Sequence, residues 1–226
     1  MKKIFLLIAV VLGFAATKVN AQQAQPIRFG VKVGANLSNW QGETVNSAQN
    51  LIDLSDGNVN RKMREGVHAG LYISIPVGPG FEIEPGLQYS QKGTRLTGKL
   101  PWVETEFLNA NMTITNKSEY IELPVLAKLY VAEGFHIFAG PQVAYLLSNK
   151  VQAQASVLGF NAFNREWDMK NGFREFDMSI VGGVGYKFAN GLNLSAGYDH
   201  GLNTIDENAN FETYNRTFKA SVGYTF

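Results

Sequence analysis

The chain of 226 residues is long enough for one sizeable domain, and its 20 basic and 19 acidic residues leave a formal net charge of +1. That balance lacks the basic excess typical of nucleic-acid binding, so we expect no nucleic-acid partner. The absence of cysteine excludes disulfides, thiolate catalysis and zinc–thiolate sites.

Residues 1–21 have the pattern of a secretory signal peptide. Two lysines precede an apolar run over residues 4–16, and a small-x-small cleavage site ends at Ala21. The run is short for a bilayer span, and a buried N-terminal helix or a membrane anchor is the alternative interpretation. Cleavage after Ala21 would leave residues 22–226 as the mature domain, with 17 basic and 19 acidic residues.

Eight later segments alternate apolar residues with polar or small ones, which is the period of a β-strand. No stretch after the signal approaches the length of a transmembrane helix. Charges, glycines and hydroxyl residues occupy the second face of each segment. The apolar rows lie within residues 27–35, 67–75, 81–89, 121–129, 135–147, 176–188, 192–198 and 218–226.

Short and long connections alternate between these strands. Tight turns are predicted at 77–80, 132–134 and 190–191, where Asn-Gly is a strong hairpin signal. Outer-membrane barrels have short periplasmic turns and long extracellular loops. The sequence therefore predicts an all-β, eight-stranded antiparallel up-and-down transmembrane β-barrel. Long polar loops are expected at about 38–65, 97–111, 149–172 and 203–212.

The last strand places Phe218, Ala220, Val222, Tyr224 and Phe226 on one face. A soluble protein seldom ends on such an apolar strand, because a flat apolar edge promotes aggregation. A strand that closes a barrel in a membrane has no free edge and is apolar outward. We expect Tyr224 and Phe226 to form a C-terminal insertion signal.

Alternation alone does not distinguish the inside of a barrel from its outside. A soluble lipocalin-type barrel has the opposite pattern, with apolar residues lining a cavity and charges in water; a soluble sandwich would also expose these charges. We favour a polar lumen plugged by ion pairs, in which glycines make room for the long side chains, because an eight-stranded barrel is only wide enough to be filled. The predicted structural charge network consists of Arg28, Lys32, Glu82, Glu84, Glu122, Lys128, Asp177, Lys187, Asp199 and Lys219.

Several segments together resemble the PorT-like outer-membrane β-barrel family of Bacteroidetes. The resemblance implies an outer-membrane location and an eight-stranded barrel but no single activity, although a founding member serves protein secretion. It implies no catalytic residues, because the shared pattern is a scaffold. The segments are YIELPVLAK at 120–128, FAGP at 138–141 with YLL at 145–147, Asp177 ahead of GVGY at 183–186, and EPGLQYS at 84–90 with Lys92-Gly93.

The histidines are the candidates for a general base. His68 and His136 fall on the predicted inner face, where a structural hydrogen-bonded role is expected. His200 follows Asp199, and an Asp–His pair can orient a base, but no nucleophile motif such as Gly-x-Ser-x-Gly accompanies it. The sequence therefore predicts a protein that is not an enzyme.

Two further features lie in the predicted loops. The segment DLSDGN at 53–58 suggests a calcium loop, but its spacing misses the EF-hand pattern, so we predict a solvated turn and no metal or cofactor. Aromatic residues in or beside the loops are candidates for a partner interface, for loop packing or for contact with the membrane surface. They are Trp40, Trp102, Phe160, Phe163 and Trp167.

The functional expectation is a non-enzymatic integral outer-membrane barrel that acts through its extracellular loops or through contacts with envelope proteins. Outer-membrane lipid, the barrel-assembly machinery during biogenesis, and envelope or secretion proteins are the expected partners. The alternatives are a component of a protein secretion system, a narrow solute channel and an envelope hydrolase.

Overall fold

The computed structural model describes residues 26–43, 59–99, 110–157, 160–206 and 212–226. The predicted signal peptide, the 53–58 segment and Trp102 lie outside these ranges. Within them the chain forms nine strands. They are β1 (Arg28–Gln41), β2 (Val59–Gly78), β3 (Phe81–Lys99), β4 (Ala110–Tyr130), β5 (Phe135–Val157), β6 (Phe160–Asp168), β7 (Phe176–Lys187), β8 (Leu192–Gly201) and β9 (Tyr214–Thr225).

Eight of these strands close into a barrel in which every pairing is antiparallel. Neighbouring strands pair from β1 to β5, β5 then pairs with β7, and β7, β8 and β9 follow in order. The ring closes where β9 pairs with β1, from Gly30 opposite Thr225 to Gln41 opposite Tyr214. The predicted all-β, eight-stranded antiparallel fold is confirmed.

The ninth strand, β6, corrects the loop predicted at 149–172. β5 continues through Val157, and β6 returns alongside it with Lys150 opposite Asp168. A 3-10 turn at Lys170–Gly172 precedes β7, and the described ranges hold no helix that is long and apolar enough to cross a membrane. The loops predicted at 38–65 and 97–111 are likewise shorter, because β1 to β4 extend into them.

Exposure decides which face of the barrel is the outside. Large apolar side chains stand exposed on the outer surface, with Leu71 at 60% and Leu123 at 53%. Their strand neighbours Tyr72 and Glu122 point inward and are buried, the latter completely. A soluble lipocalin-type barrel would have the reverse arrangement, so that alternative is wrong for this chain.

Candidate functional site: the charged lumen and the projecting sheet

Four charged side chains from four strands form a buried network across the lumen. The Glu122 carboxylate lies between two ammonium groups, with Oε1 2.6 Å from Lys92 Nζ and Oε2 2.6 Å from Lys219 Nζ. Asp199 Oδ2 is 2.6 Å from Lys219 Nζ and 3.6 Å from Lys92 Nζ. Gln88 also donates to Glu122. We call Lys92, Glu122, Asp199 and Lys219 the central network; its charges balance.

Lys92 is the member that sequence reasoning missed. Its side chain is only 1% exposed, yet the third strand was predicted to end near Ser90. Continuing the alternation of Glu82, Glu84 and Gln88 by two more pairs of residues would have placed Lys92 on the inner face. Arg64, another buried cation, donates to the backbone oxygen of Lys92 at 2.5 Å.

Glu82 contacts both hydroxyl groups and cations near the end of the barrel that carries the short turns. Its Oε2 accepts hydrogen bonds from Ser74 at 2.8 Å and from Tyr130 at 3.1 Å. Its Oε1 lies 3.8 Å from both Arg28 Nη2 and Lys187 Nζ. These ion pairs are long, so hydroxyl groups make the shorter contacts to this carboxylate.

The remaining predicted lumen charges differ in whether they have an ion-pair partner. Lys128 forms a close ion pair with Glu84. Asp177 has no cation within 4 Å among the described residues; its Oδ2 accepts a hydrogen bond from Asn215 at 2.8 Å. Lys32 has no carboxylate within 4 Å in the same ranges, and its Nζ lies 5.8 Å from the centre of the Tyr72 ring. The expectation that every lumen charge is in an ion pair therefore fails at Lys32 and at Asp177.

The inward glycines make room mainly for rings rather than for lysine side chains. A Cβ on Gly34 would lie 2.5 Å from Cε1 of His68, and one on Gly185 would lie 2.6 Å from Nε2 of His136. His68 is held between Asn36, at 2.7 Å, and Ser221, at 2.8 Å. Both inward histidines are therefore packed into the lumen wall.

Apolar clusters fill much of the remaining lumen. Leu126, Phe138 and Val181 pack together in the interior. A second cluster of Tyr120, Ala144 and Leu146 packs against Phe173. A cavity of about 60 Å³ remains between the Glu84–Lys128 pair and the central network. The alternation of the sequence did not indicate these inward apolar residues, because they occupy the face that otherwise carries charges.

The Asp199–His200 pair does not form. Asp199 is buried in the central network, whereas His200 is exposed on the outer surface, since adjacent strand residues point to opposite faces. Its ring lies 6.2 Å from that of Tyr198. Asp199 therefore does not orient His200 as a base.

Strands β2 to β6 project beyond the rest of the barrel, with Val59 of β2 opposite Gly98 of β3. We call the part beyond Tyr120 on β4 the projecting sheet. β5 pairs with β7 only as far as Tyr145 opposite Phe176; from Lys150 onward it pairs with β6. A β-bulge in β5, where Glu119 and Tyr120 of β4 face Ser148 and Leu146, marks the transition.

The outer face of the projecting sheet is charged, unlike the apolar outer face of the barrel wall. On this face, Glu166 Oε1 lies 3.0 Å from Lys150 Nζ and its Oε2 lies 3.4 Å from Lys117 Nζ. The inner face is mixed: Asn116 and Ser118 donate hydrogen bonds to Asn149, whereas Trp167 on β6 pairs with the inward-facing Val151. A sheet with charged groups on its outer face suits water rather than lipid.

β6 forms an edge of the projecting sheet. Within the described ranges it pairs with β5 alone, and every side chain from Phe163 to Asp168 is exposed. Phe163 is 43% and Trp167 45% exposed. An unpaired edge with exposed aromatic residues is the geometry to which an extended polypeptide adds as a further strand.

The two predicted C-terminal residues lie at the opposite end of the barrel. Tyr224 pairs with Leu192, and Phe226 is 71% exposed. Their ring centres are 5.3 Å apart. They lie beside the 190–191 turn in space, since Thr225 N–H donates to Gly191 O, and Tyr186 and Phe188 before that turn form a similar pair at 4.8 Å. This ring of outward aromatic residues suits the headgroup level of a bilayer.

The fold and sequence were compared with known proteins. Solved structures that cover 89% of this chain and 100% of their own are Ail, the attachment invasion locus protein of Yersinia pestis (10% identity, TM-score 0.45), and Neisserial surface protein A (10% identity, TM-score 0.46). No curated protein matches the chain. The sequence profile described as "Outer membrane protein beta-barrel domain" matches residues 20–207, most of the chain. The chain therefore belongs to the outer membrane protein β-barrel domain family.

Proposed function

We propose that the protein is a non-enzymatic interaction protein of the bacterial outer membrane, and that it binds a partner polypeptide along the edge of β6. The observation that carries this proposal is the unpaired edge of β6 with exposed Phe163 and Trp167. Main-chain hydrogen bonds along a sheet edge provide affinity, and alternating side-chain contacts provide specificity. The partner's segment would be extended and would place apolar residues against the inner face.

The lumen serves as a structural plug on this proposal. Glu122 and Lys92 are held by ion pairs across the barrel, and the interior cavity has a volume of only about 60 Å³. An aqueous channel needs a wider barrel than eight strands provide. These observations favour a scaffold role over the narrow solute channel, and the separation of Asp199 from His200 disfavours the envelope hydrolase.

The same proposal includes the steps by which the protein reaches the outer membrane. The signal peptide would be removed near Ala21, and Tyr224 and Phe226 would be the residues that the barrel-assembly machinery recognises. Outer-membrane lipid then surrounds the exposed apolar rows. Residues 120–128 and 138–147 resemble PorT-like proteins. This resemblance supports the proposal that the partner is a component of a protein secretion system.

Site-specific photo-crosslinking in intact cells tests the binding of a partner. A photoreactive residue in place of Asn164, at the edge of β6, should give a discrete crosslinked product. The control position is Asn190, which is exposed in a turn at the opposite end of the barrel. Phe163→Lys with Trp167→Lys should abolish the product from position 164 without changing the amount of folded barrel, because lysines blunt a strand edge.

Identical products from positions 164 and 190, or a product that persists in the double lysine variant, would contradict the proposal. Purification of the crosslinked product from position 164 would then identify the partner and test the secretion assignment directly.

A further inference from the structure

The interior cavity is lined by an unequal set of charges. Lys32, Lys128 and Lys219 contribute three ammonium groups to its wall, whereas Glu84 and Asp199 contribute two carboxylates. His68 and His136 line it as well, and His68 already bonds to Asn36 and Ser221. One positive charge at this cavity is therefore in excess.

Geometry identifies which charge is in excess. The Glu84 carboxylate is bound by Lys128, and Asp199 is bound by Lys219 at 2.6 Å. Lys32 has no carboxylate within 4 Å among the described residues, and its Nζ lies 5.8 Å from the centroid of the Tyr72 ring. Lys128 Nζ lies 5.5 Å from the same centroid, so the ring faces two cations.

The whole lumen shows the same imbalance. With Lys92 added, the predicted network holds six cations and five carboxylates, and the buried Arg64 widens the difference. A cation removed from bulk water without a counter-charge is destabilising, and a lysine ammonium brings three hydrogen-bond donors that need acceptors. The cavity beside Lys32 is where an acceptor of opposite charge would fit.

We propose that this cavity binds a monatomic inorganic anion of halide size, with Lys32 as its principal ligand. A volume of about 60 Å³ accommodates on the order of four water-sized particles, which is room for one such ion and a few waters. The bound anion neutralises Lys32 and balances the charges that line the cavity.

Bromide locates the site directly. The protein refolded in sodium bromide and crystallised should show an anomalous peak in the cavity, beside Lys32 Nζ. The Lys32→Met variant, which keeps a chain of similar length without the charge, should lose that peak. A bromide-refolded wild-type protein with no peak in the cavity would overturn the proposal.

Stability measurements in solution test the same site. At fixed ionic strength, replacing gluconate with chloride should raise the folded-to-unfolded ratio by up to about tenfold for each tenfold increase in chloride once the chloride concentration is well above the Kd of the site. Lys187→Met is the matched control, because Lys187 is a lumen lysine that pairs with Glu82 and does not line the cavity. Its chloride response should match that of the wild type.

The Lys32→Met variant should lose the chloride response. An equal response in Lys32→Met and wild type would show that chloride acts elsewhere and would overturn the proposal. If Lys32→Met does not fold, the bromide peak in the wild-type protein decides the question alone. Neither experiment depends on the partner proposed for β6.

Discussion

The wall of the barrel and the projecting sheet are built from the same strands but have different outer faces. On β4, the outward residues from Ile121 to Leu129 are apolar, whereas the outward residues from Thr113 to Glu119 are polar or charged. The inward residues of β4 are mixed in both regions, because Leu126 lies among the charges of the barrel and Asn116 lies beside Ile114 in the projecting sheet.

This difference shows that the surrounding solvent, and not strand geometry, determines which face is apolar. The apolar outward stretch of β4 spans nine positions, which matches the 9–11 residues that a tilted strand needs to cross a bilayer. The remaining half of the strand stands in water, where a polar outer face is stable. The lipid boundary therefore lies near Glu119 and Ile121.

The largest expected effect comes from breaking the central network. Glu122→Gln removes the carboxylate shared by Lys92 and Lys219 and should lower the free energy of unfolding by about 3–5 kcal/mol, because two buried cations are left with the Asp199 carboxylate alone. Urea unfolding in lipid vesicles, followed by tryptophan fluorescence, measures the change. Glu166→Gln, in the exposed ion pairs of the projecting sheet, is the control and should change stability little.

A charge introduced on the outer face should destabilise the protein in the barrel wall but not in the projecting sheet. Leu123→Arg places a cation in the hydrocarbon and should cost about 2–4 kcal/mol in vesicles. Thr113→Arg, on the same face of the same strand but in the projecting sheet, should change stability by less than about 0.5 kcal/mol. Equal costs at the two positions would remove the basis for placing the lipid boundary between them.

Packing at the inward glycines should give a smaller effect. Gly34→Ala brings a Cβ to 2.0 Å from the backbone oxygen of Ala220 and 2.5 Å from the His68 ring, so a loss of about 1–3 kcal/mol is expected. Gly182→Ala is the matched control, because its Cβ would meet nothing closer than 3.8 Å. A destabilisation of the control as large as that of Gly34→Ala would argue against specific packing of the histidine.

The smallest effect concerns the pH dependence of the projecting sheet. Hydrogen bonds from Lys150 and Lys117 hold the pKa of Glu166 below its usual value. A carboxylate whose pKa falls on folding contributes stability above its unfolded pKa, about 4.3, and that contribution is lost as the pH falls through the folded value. Amide exchange in β6 should therefore become faster, relative to Glu166→Gln, as the pH falls from 6 towards 3.

Glu166→Gln should show no such titration. If the protection of the β6 amides from exchange depends on pH in the same way in both proteins, the ion pairs do not stabilise the hairpin of β5 and β6.

The barrel itself was predictable because its eight strands carry a regular alternation that lipid enforces on one face. Seven predicted lumen residues lie in short ion pairs or hydrogen bonds inside it, namely Glu82, Glu84, Glu122, Lys128, Asp177, Asp199 and Lys219. The alternation is reliable there because an apolar residue facing lipid and a charge facing the lumen are both strongly favoured.

The projecting sheet was not predictable in the same way. β6 exposes Phe163, Arg165 and Trp167 along one face and has water on both sides, so no single face is required to be apolar. Lys92 was missed because the third strand was ended at Ser90, where the outward residues stop being apolar. The inner face continues beyond that point, and the long-range pairing of Lys92 with Asp199 is a property of the closed ring.

Lipid-quenching of single cysteines tests the central claim that β4 crosses lipid with one half and stands in water with the other. The chain has no native cysteine, so Leu123→Cys and Lys117→Cys can each be labelled with one fluorophore. Nitroxide lipids should quench the label at position 123 strongly and leave the label at position 117 bright. Equal quenching at both positions, or none at position 123, would contradict the account.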